Sequence, residues 1–449
     1  MKFRLVVCLF LIGLGSAYGQ YNSTLLMNNS YQRNTINPAM GSPDRLVLGI
    51  PQYSINYTAG GLTVNDMVTS EIDGIRYFDF DKAYQNAGDK NFFFVDQRLE
   101  YGSIHFRIGN FSLSTGASFN TQGQLRLNKD LIGLLANGNT PYVGKTLDIG
   151  PGIFAQSFNE IYIGGRIEHK NWKFGARARI LNGVQDISTP ESQIKFYTNP
   201  DIYQIEMENN YLVNSSATLQ FNDLTDISYD WKGISFNNFL KNNFGFALDL
   251  GVTYQFSKKL ELGIALLDWG KIGWDRRLSN DLSQGNLGFA GLNLLDYVGN
   301  TEDVVLEDSI YQIFEFQKTK NPYSTKLPIR MNLTAKYALS AKMNLGFVLN
   351  YSKYEKINHS YLDFLMLYKL TKWLHIGANV GMMQMKYPIF GISGRLMIGR
   401  IEGYLCIDNA LGLTNVFNSH SVQLSAGANV TLMRKKKKYV EVDELIELK

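Results

Sequence analysis

Few of the residues that could carry out chemistry are spaced as an active site or a metal site requires. The sequence has no His-Glu-x-x-His, Gly-x-Ser-x-Gly or phosphate-binding loop motif, and its five histidines are scattered: His105, His169, His359, His375 and His420. Cys406 is the one cysteine outside the N-terminal apolar stretch, and no Cys/His spacing typical of zinc occurs. The sequence therefore predicts no catalytic residue, cofactor or metal. A hydrolase whose serine, histidine and orienting side chain meet only in the fold is the alternative left open.

Charged residues within stretches of alternating polarity are better candidates for a function. They lie on, or fit, the more polar face of such stretches: Arg177, Arg179, Asp249, Glu261, Arg330, Lys336, Asp363 and Arg395. A charge that faces lipid at mid-depth costs about 2–4 kcal/mol, so in a membrane barrel we expect these side chains to face the lumen. They would either form ion pairs that fill the lumen and hold a plug, or line a substrate path. The first role is favoured because side chains usually fill small barrels. For Asp249 we expect an arginine partner on a neighbouring strand.

These charges are carried by segments with a period of two. From Phe244 to Phe256 the even positions are apolar or aromatic, and the odd positions are small or polar. The segment from Leu327 to Leu339 repeats the pattern, and similar segments follow at short intervals up to Leu432. Such alternation is typical of strands that separate two unlike environments, and the short gaps indicate antiparallel neighbours. Lys258-Lys259 and Ala341-Lys342 are predicted tight turns.

Earlier strands are predicted over 46–57, 99–108, 111–119, 160–167 and 172–181. Bacterial single-chain barrels have even strand numbers, so we predict an all-β, antiparallel transmembrane barrel of about 14 strands. Three connections, 120–158, 182–242 and 270–326, are predicted to be long, with short helical pieces at 130–135 and 292–297. Short turns on one side and long loops on the other are usual in such barrels.

A soluble sandwich would also alternate, but two features favour a barrel in lipid. The minority face contains Gly245, Ala247, Gly251, Gly263, Ala265, Gly346, Gly377, Gly391 and Gly427, which a crowded lumen explains better than a soluble strand does. Aromatic residues recur near predicted strand ends, as interfacial girdles would: Tyr254, Phe256, Trp269, Trp274, Tyr337, Tyr351, Trp373 and Tyr387. Asp268 and Trp269 are interpreted as a strand end.

The two ends of the chain are predicted to lie outside the barrel wall. Lys2 and Arg4, an apolar stretch from Leu5 to Leu14 and small residues up to Gly19 predict a signal peptide over 1–19. Residues 20–43 lack alternation and are interpreted as an extension or a plug, residues 44–433 as the barrel, and residues 434–449 as a charged tail. The chain should therefore be exported to a bacterial outer membrane.

One block carries a family resemblance. Phe246-Ala-Leu-Asp249-Leu-Gly251-Val-Thr-Tyr254, followed by Leu262-Gly-Ile-Ala-Leu-Leu-Asp268-Trp-Gly270-Lys-Ile-Gly-Trp274, resembles the DUF5723 family of Bacteroidetes, whose members are similar to FadL-like fatty-acid transporter barrels. Asn37-Pro38-Ala39 is also similar to the Asn-Pro-Ala of PorP/SprF proteins of type IX secretion. The first resemblance implies an outer-membrane location and a FadL-like barrel, and it leaves the cargo open.

These patterns lead to two main hypotheses for function. The first is a channel for a hydrophobic small molecule, which predicts a continuous apolar pocket or a gap in the wall; a lumen packed with charged pairs would count against it. The second is a structural partner in an envelope machine. The expected partners are outer-membrane lipid, with a hydrophobic ligand or envelope proteins. The formal net charge of +4, without a clustered basic face in the strands, argues against nucleic-acid binding.

Overall fold

Fourteen long antiparallel strands form the body of the protein. The computed structural model describes residues 22–27, 30–70, 76–217, 219–221, 227–229, 242–289 and 316–434. The strands are β1 (Leu46–Gly60), β2 (Asn91–Ile108), β3 (Phe111–Leu127), β4 (Gly152–His169), β5 (Trp172–Ser188), β6 (Phe244–Gln255), β7 (Leu260–Trp274), β8 (Arg330–Ala338), β9 (Met343–Tyr354), β10 (Ile357–Lys369), β11 (Leu374–Met383), β12 (Tyr387–Ile398), β13 (Ile401–Ile407) and β14 (Ser421–Met433).

The sheet closes on itself. Each strand pairs with the next along the chain, and β14 pairs with β1, with Leu46 opposite Met433 and Thr58 opposite Ser421. Closure gives every strand two neighbours, so no edge of the barrel wall is left unpaired. The predicted all-β antiparallel barrel of about 14 strands is confirmed.

The two ends of the barrel differ. Six hairpins close one end with turns at 109–110, 170–171, 256–259, 339–342, 370–373 and 399–400, and β1 begins and β14 ends there; we call it the short-turn end. The other end, the long-loop end, carries all the longer connections. The further described strands there are Val68–Ser70, Arg76–Phe78, Thr146–Asp148, Ser192–Thr198, Ile205–Ala217, Leu219–Phe221, Ile227–Tyr229, Ser279–Phe289, Gln317–Thr319 and Tyr323–Lys326.

Short helices also lie at the long-loop end. The α-helices are Phe80–Asn86, Lys129–Asn137 and Ala410–Thr414, and 3₁₀ turns span Asn65–Met67, Thr140–Tyr142 and Val416–Asn418. The helical piece predicted at 130–135 is confirmed, whereas the piece predicted at 292–297 lies outside the described residues. Within the part of the chain that the structure describes, no helix has the length and hydropathy needed to cross a membrane.

The period of two divides the wall into an apolar outer face and a polar inner face. Each of the fourteen strands carries at least one exposed apolar or aromatic residue. Examples are Phe246, Ile264, Met331 and Phe390, whose side chains have exposed fractions between 44% and 51%. The residues between them face inward and are buried, among them Asp249 and Thr334. The outer face would be costly in water over so large an area.

Several strands extend further than the pattern predicted. The predicted strand 99–108 begins at Asn91. The loop predicted at 120–158 is partly strand, because β3 continues to Leu127 and β4 begins at Gly152. The loop predicted at 182–242 is also partly strand, because β5 continues to Ser188. These extensions continue past the part of the wall whose outer face is apolar, which we call the outer apolar band. Both of their faces are covered there, so apolar and polar residues no longer alternate. Trp274 is not a girdle residue: it is fully buried, and its indole N–H donates to Thr325 at 2.8 Å.

Asp268 and Trp269 are not a strand end either, because β7 continues to Trp274. The pairing of β6 with β7 is shifted between Leu248 and Leu250, and Asp268 takes a φ of +61° at this irregularity. A bulge re-aims a side chain. Here it turns Asp268 into the lumen, where it is 3% exposed, and leaves Trp269 outside.

Candidate functional site

The N-terminal segment lies inside the barrel. Every described residue from Asn22 to Ser42 is buried, and two 3₁₀ turns, Asn22–Leu26 and Tyr31–Thr35, shape the segment. Near the short-turn end the carbonyl of Ser42 lies 3.1 Å from Nε2 of His105 on β2. We call residues 22–27 and 30–42 the plug segment.

Asn37 anchors the plug segment to the wall through its side chain. Its amide nitrogen donates to the carbonyl oxygens of Val252 at 3.2 Å and Ile264 at 3.0 Å, and its side-chain oxygen accepts from the backbone N–H of Ala39 at 2.9 Å. The wall is built from glycine where this loop touches it. A β-carbon on Gly251 would overlap Asn37, and one on Gly175 would overlap Pro38.

Arg33 adds a charged contact near the short-turn end. Its guanidinium lies 3.2 Å from Glu261, which also pairs with Lys173 and, at 3.7 Å, with Lys336. One buried carboxylate therefore contacts three cations, which come from the plug segment, β5 and β8. On the opposite side Tyr31 shares a 2.5 Å hydrogen bond with Tyr162.

The rest of the plug segment is held by both apolar and polar contacts with the wall. Leu25, Leu26, Ile36 and Met40 pack with wall residues in one cluster that includes Val348, Leu365 and Leu367. Asn22 donates to Asp363, and Ser23 donates to Asp408. Gln32 and Asn429 exchange two side-chain hydrogen bonds of 2.8 and 2.7 Å. The segment is thus fixed to β6, β7, β10 and β14.

Further into the lumen the wall carries a buried network of ion pairs. Asp249 pairs with Arg177 at 2.6 Å and with Arg179 at 3.4 Å, and Arg179 also binds Glu160 and Asp268. Arg330 binds Asp268, and Arg98 lies 3.1 Å from Glu160 and 3.5 Å from Glu100. We call this set the ion network: Arg98, Arg177, Arg179 and Arg330 with Glu100, Glu160, Asp249 and Asp268. Its cations and carboxylates are equal in number, as burial of charge requires.

The eight candidate residues from the sequence fall in three places. Arg177, Arg179, Asp249 and Arg330 meet in the ion network, and the arginine expected beside Asp249 is Arg177 from β5. Glu261, with Lys336 beside it, and Asp363 instead hold the plug segment. Arg395 lies apart, in a two-armed pair with Glu402 at 2.9 and 3.0 Å. Whether any of them contacts a cargo stays a prediction.

Sequence reasoning missed several partners in these sites, among them Arg98, Glu160, Asp268 and Arg33. Arg98 and Glu160 lie at or just outside predicted strand ends, and the pattern predicts a strand end at Asp268 because the bulge breaks the alternation. Arg33 belongs to the segment without a pattern. Arg33 is the one charged residue between Asn22 and Ala39, and this is the only signal in the sequence that could have marked it.

The histidines do not converge. His105 contacts the plug segment, His359 lies 3.2 Å from Gln124 among aromatic rings, and His420 contacts the carbonyl of Ala59. In the described ranges, no three His, Cys, Asp or Glu residues are grouped so that they could hold a metal ion.

Two pockets open at the short-turn end on either side of the plug segment. One, of about 570 Å³, has an apolar floor and a basic rim; it is lined by Leu26, Lys342, Leu367, Lys369, Leu370, Thr371, Lys372, His375, Arg395 and Met397. The other, of about 330 Å³, is bordered mainly by charged residues, among them Arg33, Arg166 and Glu261. The first is large enough for a small organic molecule.

A family model described as "Family of unknown function (DUF5723)" matches residues 38–408. No curated protein matches the chain. Among solved structures, the Ralstonia pickettii toluene transporter TbuX is 10% identical, with 93% of this chain and 94% of that chain covered and a TM-score of 0.39. The CymD monoaromatic hydrocarbon channel is 10% identical, with 93% and 98% covered and a TM-score of 0.44. A Pseudomonas aeruginosa FadL homologue is 10% identical, with 92% and 97% covered and a TM-score of 0.33.

Proposed function

Because the chain belongs to the DUF5723 family, we propose that it is a barrel of a bacterial outer membrane that passes a hydrophobic small molecule when its plug segment moves. The observation that carries the proposal is the buried N-terminal segment inside a closed barrel whose outer face is apolar. The proposal includes export by a signal peptide over residues 1–19, which lie outside the described residues.

The outer face supports a place in lipid. Lipid offers no hydrogen-bond partners, so a spanning sheet has to close on itself, as this one does. Exposed side chains such as Ile163, Val380 and Ile398, at 58–65% exposure, would be solvated by acyl chains. The charges of the ion network lie on the inner face, where they avoid the cost of facing lipid.

The plug segment and the pocket beside it support a channel. The first turn of the segment contributes Leu26 to the apolar floor of the larger pocket, so a molecule bound there would touch the plug directly. Apart from its connection to β1, the plug segment is held in the lumen by noncovalent contacts. Each of these contacts is of ordinary strength. Movement of 22–42 would widen the lumen beside β6, β7 and β9, where Gly251, Gly263 and Gly346 face the segment.

The conformation described here is closed. The lumen holds the plug segment and the ion network, and the described residues form no continuous apolar passage through it, which counts against an open channel in this state. This same observation favours the second candidate, a sealed barrel that serves as a structural partner in an envelope machine. A sealed barrel would keep its lumen filled whatever ligand is offered.

Entry of a hydrophobic fluorescent probe into intact cells tests the proposal. Cells that express the chain are compared with cells that express the Leu25→Ala/Leu26→Ala variant, which loosens the plug segment, and with a matched outer-face variant, Leu333→Ala/Leu396→Ala. We expect faster entry of N-phenyl-naphthylamine with the loosened variant than with either other chain. Entry of a large hydrophilic antibiotic controls for general leakage. Equal entry with all three chains would favour the sealed barrel, and absence of the chain from the outer-membrane fraction would overturn both candidates.

A further inference from the structure

Among the residues that the structure describes, the exposed charges at the short-turn end are all of one sign. Eight exposed cations lie in or beside its turns: Arg45, Lys170, Lys258, Lys259, Lys342, Lys372, Arg400 and Arg434. The described turns at this end expose no carboxylate, because Glu261 and Glu402 are buried and Asp44 and Glu168 are half-buried. None of the eight cations lies within 4.0 Å of a carboxylate oxygen of the described residues. We call these residues the cation ring.

The described residues of the long-loop end carry exposed charges of both signs. Exposed lysines and arginines there are mixed with exposed acids such as Asp89, Asp148, Glu206 and Glu355. The difference between the ends is therefore a property of one rim and not of the whole surface. The modest net charge of the chain hides this asymmetry.

The position of the cation ring matches the boundary of a membrane. Its members lie just before β1, just after β14 and in five of the six hairpin turns, so they surround the barrel and do not form a patch on one side. Directly beside them the outer face exposes Trp172, Phe256, Trp373 and Ile398, with exposed fractions of 44–66%. Aromatic side chains at this level are typical of the region where acyl chains meet headgroups.

We propose that the cation ring binds the headgroup phosphates of anionic phospholipids in the leaflet at the short-turn end. A circumferential ring fits a lipid annulus, whereas a single protein partner would need a patch on one side. Each lysine or arginine at an anionic surface contributes roughly fivefold in affinity. Because short turns are periplasmic in such barrels, the leaflet concerned is the periplasmic one. The inference rests on the membrane location proposed above.

Native mass spectrometry of the full-length barrel, extracted from vesicles of phosphatidylcholine with or without phosphatidylglycerol, tests this inference. The ring variant carries Lys258→Gln, Lys259→Gln, Lys342→Gln and Lys372→Gln. The control variant carries Lys90→Gln, Lys145→Gln, Lys320→Gln and Lys353→Gln, which remove the same charge from the long-loop end. We expect the natural chain and the control to retain phosphatidylglycerol several-fold over phosphatidylcholine, with less preference at high salt, and the ring variant to lose the preference.

Other outcomes separate the inference from the proposed location. Normal insertion into phosphatidylcholine with no preference for phosphatidylglycerol in any chain would overturn the cation ring and leave the membrane barrel standing. Failure to insert into either lipid, with no heat-modifiable migration, would overturn the location itself. In a third set of vesicles that also contains lipid A, retention of lipid A in preference to phosphatidylglycerol would place the ring in the opposite leaflet and overturn the assignment to phospholipid. Capture of an acidic envelope protein by the natural chain but not by the ring variant, without lipid preference, would overturn it as well.

Discussion

The side-chain oxygen of Asn37 occupies the space that a β-carbon on Gly251 would need. Asn37 is fully buried, and its side-chain hydrogen bonds tie the plug segment to β6 and β7 on either side of this contact. Gly251→Ala should therefore displace Asn37 and destabilise the docked segment by about 1–3 kcal/mol, the usual effect of overpacking. Faster cleavage of the N-terminal segment by a protease in the folded, detergent-solubilised barrel would measure it.

A matched glycine gives the control. A β-carbon on Gly403 of β13 would meet no described atom within 4 Å, so Gly403→Ala should leave the cleavage rate unchanged. Equal rates in both variants and the natural chain would show that the plug segment does not depend on this contact.

Loss of the Asp249 carboxylate should destabilise the ion network. Asp249→Asn leaves Arg177 and Arg179 without one of their buried counter-charges, and loss of one partner from a buried pair costs about 3–5 kcal/mol. We expect a lower urea midpoint for the loss of the heat-modifiable band. The double variant Asp249→Asn/Arg177→Gln should recover part of the loss, because one uncompensated charge is removed with its partner. A double variant whose loss is the sum of the two single losses would contradict the pairing.

How much of this arrangement the sequence predicts depends on the environment of each strand. Between Phe244 and Phe256, outward-facing and lumen-facing positions alternate without exception, so the fold, the inward direction of Asp249 and the tight turn at Lys258-Lys259 follow from the pattern. The same is true of the small residues on the inner face. Gly251, Gly263 and Gly346 directly face the plug segment, as a crowded lumen predicts.

The pattern fails where two unlike environments no longer flank the chain. In the extension of β5 from Asn182 to Ser188 both faces are covered, so the alternation that marks strands is lost. The bulge at Asp268 shifts the period by one residue, so the pattern predicts a strand end at a carboxylate that faces inward from the middle of β7. The plug segment has no period at all. Its contacts with Glu261 and Asp363 join residues more than two hundred positions apart, and no local signal encodes them.

Substitutions of Glu261 and of Arg33 should lower the stability of the barrel by different amounts, although the two residues form one ion pair. Arg33→Gln leaves Glu261 with Lys173 and Lys336, so the carboxylate stays compensated and the loss should be about 1–2 kcal/mol. Glu261→Gln leaves three cations facing one another and should cost more, about 3–5 kcal/mol. Urea midpoints of the two variants at low and moderate salt measure this order. The reverse order, or equal losses, would show that Lys173 and Lys336 do not share the carboxylate.

Asp186 gives a pH dependence that is separate from the membrane part of the barrel. It lies in the extension of β5 beyond the outer apolar band, opposite Ser216, and is fully buried; Tyr323 donates a 2.8 Å hydrogen bond to it. Burial raises the pKa of Asp186 from 3.8 to about 8, with a smaller contribution from Glu355, while the hydrogen bonds from Tyr323 and Ser188 oppose the shift. Between pH values of about 4 and about 8, the Asp186 carboxyl of the folded state therefore holds a proton that the unfolded chain has lost. The local free energy of unfolding should therefore fall as the pH rises from about 4 to about 8, and should level off above that.

Hydrogen exchange of the backbone amides of Ile205–Ala217, corrected for the intrinsic pH dependence of exchange, would follow this change. Asp186→Asn cannot ionise and should make protection independent of pH across the same window. Tyr323→Phe removes a donor that favours the carboxylate, so it should move the midpoint of the loss to higher pH, because the pKa of Asp186 would then rise further. A natural chain whose protection is equal at pH 5 and pH 9 would show that Asp186 is hydrated and ionised in solution. The opposite slope, with protection rising with pH, would indicate a cation beside it that these contacts do not provide.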